Sequence, residues 1–110
     1  MTEFQQIDCQ QAQQLINEGA AVADIRDPDS YDNGHIPNAQ HLDNQNLQQF
    51  IDDADLDAPL VLVCFHGFSS QSAAQFMIER GFDQVYSLAG GYEAWQQQFP
   101  QQCIRTDTAD

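Results

Sequence analysis

Short apolar runs alternate with amphipathic segments along the whole chain. Five runs have the length and composition of strands, at residues 4–7, 20–25, 40–42, 60–63 and 82–88. Segments with apolar side chains at helical spacing lie between or after them, at about residues 9–17, 44–53, 70–80 and 92–99. Pro28 suits the first turn of a further short helix. Strands that alternate with helices in this way pair in parallel, so the pattern predicts an α/β fold with a parallel sheet.

Several of these boundaries have their own polar signals. Asp8 is placed to cap the first helix and Gly19 to end it, while Asp43 is placed to cap the helix near residue 44. Ser69 or Ser70 is expected to cap the helix that follows the fourth strand.

The length favours one domain over residues 1–110, because single domains peak near ~100–150 residues. The polar stretch from about residue 101 to residue 110 is expected to fray. Residues 1–4 lack the basic start and apolar run of a secretory leader. No stretch approaches the ~20 apolar residues that a membrane span needs. We therefore expect a cytoplasmic protein.

The charge is strongly one-sided. The chain has seventeen acidic residues, three arginines and no lysine, which gives a net charge of −14. Such a surface argues against binding to nucleic acid or to an anionic membrane, and a site for an anion must act locally. The acidity fits simple solubility as well as adaptation to a saline environment, and the composition does not separate the two.

The chain has three cysteines, Cys9, Cys64 and Cys103, which are widely spaced. An odd number without a leader does not suggest a disulfide framework, and no Cys-x-x-Cys pair is present. Cys64 and His66 have no second ligand pair nearby, so we expect no metal site. We assign no chemistry to Cys9 or Cys103.

Cys64 directly follows the most apolar strand, residues 60–63, and precedes a helix. At such a junction the unpaired N–H groups and the positive end of the helix dipole favour negative charge on the sulfur. Gly67 permits the positive φ that lets successive N–H groups turn inward, and Ser69 and Ser70 add hydroxyl donors. The ordinary interpretation is a small buried residue at a strand end. We favour a nucleophile, because polar loop residues begin directly after this cysteine.

Four ordered blocks of this sequence resemble the signatures of the rhodanese-domain family, and most closely its single-domain thiosulfate sulfurtransferases of the GlpE type. The blocks cover nearly the whole chain and comprise residues 24–26, 31–39, 64–70 and 90–95. The resemblance implies a rhodanese-like fold, in which helices flank both faces of a central parallel β-sheet.

The same resemblance implies a double-displacement reaction without a cofactor. Cys64 would take a sulfur from thiosulfate as a persulfide and pass it to cyanide or to a small thiol; reduced thioredoxin is a further possible acceptor. The resemblance assigns the persulfide-binding loop to Phe65, His66, Gly67, Phe68, Ser69 and Ser70.

The loop also departs from the wider family. No lysine or arginine lies between Cys64 and Ser70, and Phe68 stands where a small polar residue could donate a hydrogen bond. His66 would supply positive charge when protonated, or it would only shape the loop; both interpretations stay open.

Asp24 lies near the end of the second predicted strand and Arg26 directly follows that strand; the resemblance places both near the loop as support. We favour a structural ion pair between them. His35 is expected to order its own loop, and Tyr92 and Trp95 are expected in the core.

Three alternatives remain beside the sulfurtransferase. A persulfide carrier loaded by a partner protein would use the same residues and would need no cation for thiosulfate. A cysteine phosphatase or arsenate reductase typically has an arginine six residues after the cysteine, where this chain has Ser70. A non-catalytic binding module would commonly lack the nucleophile, whereas Cys64 is present.

Overall fold

The computed structural model describes residues 3–106 and contains one five-stranded sheet. All strand pairs are parallel, and the strands lie in the order β1-β5-β4-β2-β3. Their bounds are β1 Gln5–Ile7, β2 Ala21–Asp24, β3 Gln40–His41, β4 Leu60–Val63 and β5 Val85–Leu88. The predicted α/β class with a central parallel sheet is confirmed.

Five helices and one 3-10 turn connect or follow these strands. Their bounds are α1 Cys9–Asn17, α2 Pro28–Asn33, α3 Leu47–Asp53, α4 Ser69–Glu79, α5 Gly91–Gln98 and the 3-10 turn Pro100–Gln102. Each helix lies near its predicted position, and Pro28 begins α2 as expected.

The central strand β4 is buried on both faces, as its continuous apolar run predicts. Val61 and Val63 pack into one core with Trp95 of α5. Leu60 and Leu62 alternate with them and pack into a second core with Met77 of α4. Because the two cores lie on opposite faces of β4, the sheet is covered on both sides, as the family resemblance implied.

The predicted signals at α1 are confirmed. The carboxylate of Asp8 accepts the N–H of Gln11 at 2.8 Å, and the side chain of Gln11 accepts the N–H of Asp8 at 3.0 Å. This reciprocal pair satisfies two N–H groups at the helix start. Gly19 follows the end of the helix with φ +106°, a conformation that favours glycine.

Two other boundaries differ from the prediction. The helix predicted from residue 44 begins at Leu47 as α3, after a turn over residues 44–46. Asp43 caps this turn, because its carboxylate accepts the N–H groups of Gln45 and Asn46 and its carbonyl accepts that of Leu47. Strand β5 begins at Val85 instead of residue 82, because the N–H of Phe82 bonds back to the carbonyl of Met77.

The chain after α5 is held against the domain, although we expected fraying from about residue 101. The indole N–H of Trp95 donates to the carbonyl of Gln102 at 2.9 Å. His35 and Ile104 exchange backbone hydrogen bonds of 2.8 and 2.9 Å in an antiparallel bridge. The last part of the expected frayed segment, residues 107–110, lies outside the described residues.

His35 has the structural role that was expected. Its ring stacks on Tyr31 at a centroid distance of 3.9 Å, and its Nδ1 lies 2.7 Å from the carbonyl oxygen of Tyr31.

Across residues 3–106, the helices are all too short or too polar to cross a bilayer.

Candidate active site

Cys64 lies at the carboxyl edge of the sheet, directly after β4 and between the neighbouring strands β2 and β5. Open parallel sheets bind ligands at this edge, because the loops that leave the strands diverge there. The loop from Cys64 to Phe68 separates β4 from α4.

The sulfur of Cys64 is surrounded by hydrogen-bond donors. The N–H of Gly67 donates to Sγ at 3.1 Å and the N–H of Ser70 donates at 3.2 Å. The hydroxyl oxygen of Ser70 lies 3.2 Å from the same sulfur. Cys64 is 5% exposed, so water competes little for these contacts. Each of these contacts is one that an anionic sulfur can accept.

This arrangement also explains why the predicted serine cap is wrong. Phe68 occupies the N-cap position of α4, and no side chain there bonds to the helix start. Ser70 lies inside the first turn, and its N–H bonds to the sulfur of Cys64. The cysteine therefore replaces a capping side chain as the acceptor for α4.

Ser69 and Ser70 have different environments although they are adjacent. Ser70 is fully buried beside the sulfur. Ser69 is exposed, and within residues 3–106 its side chain makes no hydrogen bond to the sulfur. Of the two hydroxyls predicted to serve the site, the structure brings only that of Ser70 to Cys64.

Gly67 has φ +93°, which L-residues with a side chain rarely adopt. A Cβ at this position would lie 2.7 Å from the backbone nitrogen of Gly90. Both the conformation and the space therefore require glycine, as the sequence predicted for an inward-turned loop.

Helix α5 holds the outer side of the loop. The N–H of Tyr92 donates to the carbonyl of Cys64 at 2.8 Å, and the N–H of Glu93 donates to the carbonyl of Phe65 at 3.1 Å. A Cβ on Gly91 would overlap the carbonyl of Phe65, so glycine is needed for this close approach. These contacts turn the carbonyls of Cys64 and Phe65 toward α5.

The rim of the site combines two aromatic side chains with a contact between His66 and Glu93. Phe65 is 47% exposed and Phe68 is 76% exposed. The Nδ1 atom of His66 lies 2.9 Å from a carboxylate oxygen of Glu93, with both side chains about half exposed. The position of Glu93 was not predicted from the sequence, because 27 residues separate it from His66.

A second residue that sequence reasoning missed is Ser87 on β5. Its hydroxyl oxygen lies 2.7 Å from that of Ser70, and both residues are fully buried. The available signal was a single polar residue among the apolar residues at the end of a central strand.

Asp24 and Arg26 form a buried ion pair, with 2.7 Å between Nη2 and Oδ2. The same Nη2 donates to the carbonyl of Gly34 at 2.6 Å, and the guanidinium lies 4.1 Å from the ring centroid of Tyr92. Arg26, Tyr92 and Phe65 also line a shallow cavity of about 190 Å³. The pair thus supports the helix that contacts the loop, and among the described residues it does not bond to the loop itself.

The remaining cysteines lie away from this donor set. Burial, and secondarily the charge of Asp8, raises the pKa of the Cys9 thiol. Cys103 is half-buried, and its sulfur lies 3.5 Å from the carbonyl oxygen of Phe99. All three cysteines are free thiols.

Within residues 3–106 there is no cluster of three or more side chains suited to hold a metal ion. A cavity of about 570 Å³ lies between the segment after β2, α3 and α4, and residues 64–70 do not line it.

Comparison with known proteins identifies relatives over nearly the whole chain. The protein named thiosulfate sulfurtransferase GlpE from Pseudomonas syringae pv. syringae is 50% identical over 105 residues, covering 96% of this chain and 99% of that protein. The protein of the same name from Pseudomonas paraeruginosa is 57% identical over 97 residues, covering 88% of each.

Solved structures show the same fold at low sequence identity. The solution structure of the rhodanese-like domain from the Anabaena Alr3790 protein has a TM-score of 0.79 at 19% identity, covering 96% of this chain and 83% of that chain. The crystal structure of reduced Bacillus anthracis CoADR-RHD has a TM-score of 0.79 at 17% identity, with 92% of this chain but only 18% of that longer chain covered. The profile of the rhodanese-like domain matches residues 8–98, and the chain belongs to this family.

Proposed function

We propose that this protein is a thiosulfate sulfurtransferase that uses Cys64 as its nucleophile and sulfur carrier. The observation that carries the proposal is the sulfur of Cys64, which receives the N–H groups of Gly67 and Ser70 at 3.1 and 3.2 Å. The name shared by relatives at 50% and 57% identity gives independent support for the substrate.

In the first half-reaction, the thiolate of Cys64 attacks the outer sulfur of thiosulfate. A new S–S bond forms to Cys64 while the S–S bond of thiosulfate breaks, and sulfite leaves with the electron pair of the broken bond. The product is a persulfide on Cys64. Because no electrons enter or leave the system, this step needs no cofactor.

In the second half-reaction, cyanide or a thiolate attacks the terminal sulfur of the persulfide. The products are thiocyanate or an acceptor persulfide, and Cys64 leaves as the thiolate. A small thiol and reduced thioredoxin are acceptors of the right chemistry.

The loop stabilises the anionic forms of this cycle. The N–H groups of Gly67 and Ser70 hold the inner sulfur, and the other loop amides, from Phe65, His66, Phe68 and Ser69, are the candidate donors to the terminal sulfur. Fixed amides need no reorganisation when charge moves onto the leaving sulfur, so they lower the activation barrier of both half-reactions.

The free thiols of all three cysteines support a reducing compartment, and we propose the cytoplasm as the place of action. The ion pair of Asp24 and Arg26 is a supporting element of the same site, since it packs under Tyr92 of the helix that contacts the loop.

One observation favours a second function, that of a persulfide carrier loaded by a partner protein. The loop has no lysine or arginine, while Phe65 and Phe68 are exposed beside the sulfur. Such a rim suits contact with another protein better than capture of a small dianion in a chain with a charge of −14.

The deciding experiment measures thiocyanate formation from thiosulfate and cyanide, together with the intact mass after exposure to thiosulfate alone. We expect turnover and a mass increase of one sulfur atom, both abolished by Cys64→Ser without loss of folding. The matched control is Cys9→Ala, which changes another buried cysteine and should keep both signals.

Persistent thiocyanate formation by Cys64→Ser would refute the proposed nucleophile. If wild-type protein gains sulfur only when a cysteine desulfurase is supplied, the carrier function replaces the enzyme.

A further inference from the structure

Ser70 and Ser87 form a short chain of hydroxyls that ends at the sulfur of Cys64. The oxygen of Ser87 lies 2.7 Å from that of Ser70, which lies 3.2 Å from Sγ. Among the described residues, these two contacts are the only hydrogen bonds that the two hydroxyls make. We propose that Ser87 is a positioning residue, which directs the hydroxyl proton of Ser70 onto the sulfur; this inference rests on the proposed function of Cys64.

The fold itself does not require a hydroxyl at Ser87. The residue is fully buried in β5, where Val85 and Leu88 of the same strand are apolar and buried as well. An apolar residue would pack at this position without the desolvation that a buried hydroxyl must offset with a hydrogen bond. The hydrogen bond from Ser87 to Ser70 offsets this desolvation, and it links β5 to the sulfur of Cys64 through Ser70.

The number of available protons fixes which hydroxyl donates in each of these two hydrogen bonds. When the sulfur is anionic it can only accept, so the proton of Ser70 points to Sγ. The oxygen of Ser70 is then free to accept the proton of Ser87. Two hydroxyl protons thus fill two contacts and none is left over. Because a hydroxyl that accepts a hydrogen bond donates more strongly, Ser87 strengthens the bond from Ser70 to the charged sulfur.

Ser87 also limits the rotation of Ser70. Without the partner on β5, the Ser70 hydroxyl is free to rotate away from Sγ, and the sulfur loses a donor. The role of Ser87 is therefore exercised entirely through Ser70.

The test measures the rate of Cys64 alkylation by iodoacetamide against pH, with peptide mass spectrometry to separate Cys64 from Cys9 and Cys103. We expect Ser87→Ala to raise the midpoint of the profile, equivalent to an about threefold to tenfold weaker ionisation of the thiol. Ser70→Ala should have an equal or larger effect. The double variant should behave like Ser70→Ala alone, because Ser87 has no other route to the sulfur.

The charged and titratable groups at this edge of the sheet remain unchanged in all these variants. They include Asp24 at the end of β2, Arg26 after it, His41 at the end of β3, His66 in the loop, and Tyr92 and Glu93 on α5. A difference between the wild-type and variant profiles therefore reports the hydroxyl chain and no change in these groups.

Two controls separate positioning from loss of stability. Val85→Ala truncates a buried side chain on the same strand and should lower stability without moving the midpoint. Ser87→Thr keeps the hydroxyl and should keep the midpoint. If Ser87→Ala does not fold, Ser87→Cys replaces it, and its weaker donor should give a midpoint above that of the wild type.

An unchanged midpoint in Ser87→Ala, or a further shift when Ser87→Ala is added to Ser70→Ala, would overturn the proposal. Alkylation does not depend on turnover, so this result is distinct from failure of the sulfurtransferase function, which would appear as absent thiocyanate formation by the wild type.

Discussion

Two junctions of this protein place a buried cysteine between a parallel strand and a helix, yet they differ in what surrounds the sulfur. Cys9 begins α1 after β1, and Cys64 precedes the loop between β4 and α4. Cys9 is 1% exposed and Cys64 is 5% exposed, so burial does not distinguish them. The difference lies in which group accepts the N–H groups at the start of the helix.

At the first junction a carboxylate accepts an N–H group at the start of the helix. Asp8 is the only residue between β1 and α1, and its side chain accepts the N–H of Gln11 at 2.8 Å. Within residues 3–106, Cys9 has no hydrogen-bond donor aimed at its sulfur, and burial raises the pKa of its thiol. At the second junction no side chain caps α4, and the sulfur of Cys64 accepts the N–H of Ser70. A cysteine at such a junction thus gains its donors only where no other group satisfies them.

The largest loss of activity is expected from substitution of Gly67, the glycine in the loop at the second junction. Gly67→Val should reduce thiocyanate formation by about a hundredfold or more, because the loop must move to relieve the contact with Gly90 and the donors move with it. Gly19→Val is the matched control, since Gly19 also has positive φ but a Cβ there meets no atom within 4 Å. Both variants should lose about 1 to 2 kcal/mol of stability from backbone strain, and only Gly67→Val should lose activity.

Equal activity losses in the two glycine variants would show that strain alone, without displacement of the donors, accounts for the effect.

A smaller effect on activity is expected from the His66–Glu93 pair on the rim of the second junction. His66→Gln and Glu93→Gln should each raise KM for thiosulfate about twofold to fivefold, because the contact between the two side chains fixes the imidazole ring beside the entrance. The turnover number should change less, since neither side chain bonds to the sulfur in the described structure.

The control for this pair is Glu79→Gln, which removes an exposed carboxylate from α4. It should lower KM slightly, if at all, by reducing the repulsion of an anion. A decrease of the same size in Glu93→Gln would show that its carboxylate acts only as one more negative charge.

The comparison of junctions also explains which parts of the site could be predicted from the sequence. Residues 60–63 form an apolar run that can only be a buried strand or core helix, and the polar residues after Cys64 mark where it ends. The strand, the position of the cysteine and the role of Gly67 are therefore predictable from the local pattern. The rhodanese-like assignment depends on four blocks taken together, because no single block is specific enough to support it.

Contacts across the fold could not be predicted in this way. Ser87 lies 17 residues from Ser70, and Glu93 lies 27 residues from His66. Their placement depends on the pairing of β5 with β4 and on the packing of α5 against the loop. Ser69 and Ser70 could not be told apart either, because one residue of helical rotation decides which hydroxyl faces the sulfur.

The smallest effect on function, and a clear one on stability, is expected at the first junction. Asp8→Ala removes the carboxylate that caps α1 and should cost about 1 kcal/mol of stability, measured by urea unfolding. Asp8→Asn, which keeps a capping oxygen but removes the charge, should cost less. Sulfur transfer should be unchanged in both variants, because this cap lies at a different strand end from Cys64.

The same two variants test what raises the pKa of the Cys9 thiol. Burial is the larger cause of its raised pKa and the charge of Asp8 the smaller, so the pKa should fall only slightly and Cys9 should stay unreactive to iodoacetamide in the folded protein. If Asp8→Ala instead made Cys9 as reactive as Cys64, freeing the helix N–H groups would suffice to activate a cysteine at such a junction. The loop of Cys64, with its glycine and its inward amides, would then not be needed for that purpose.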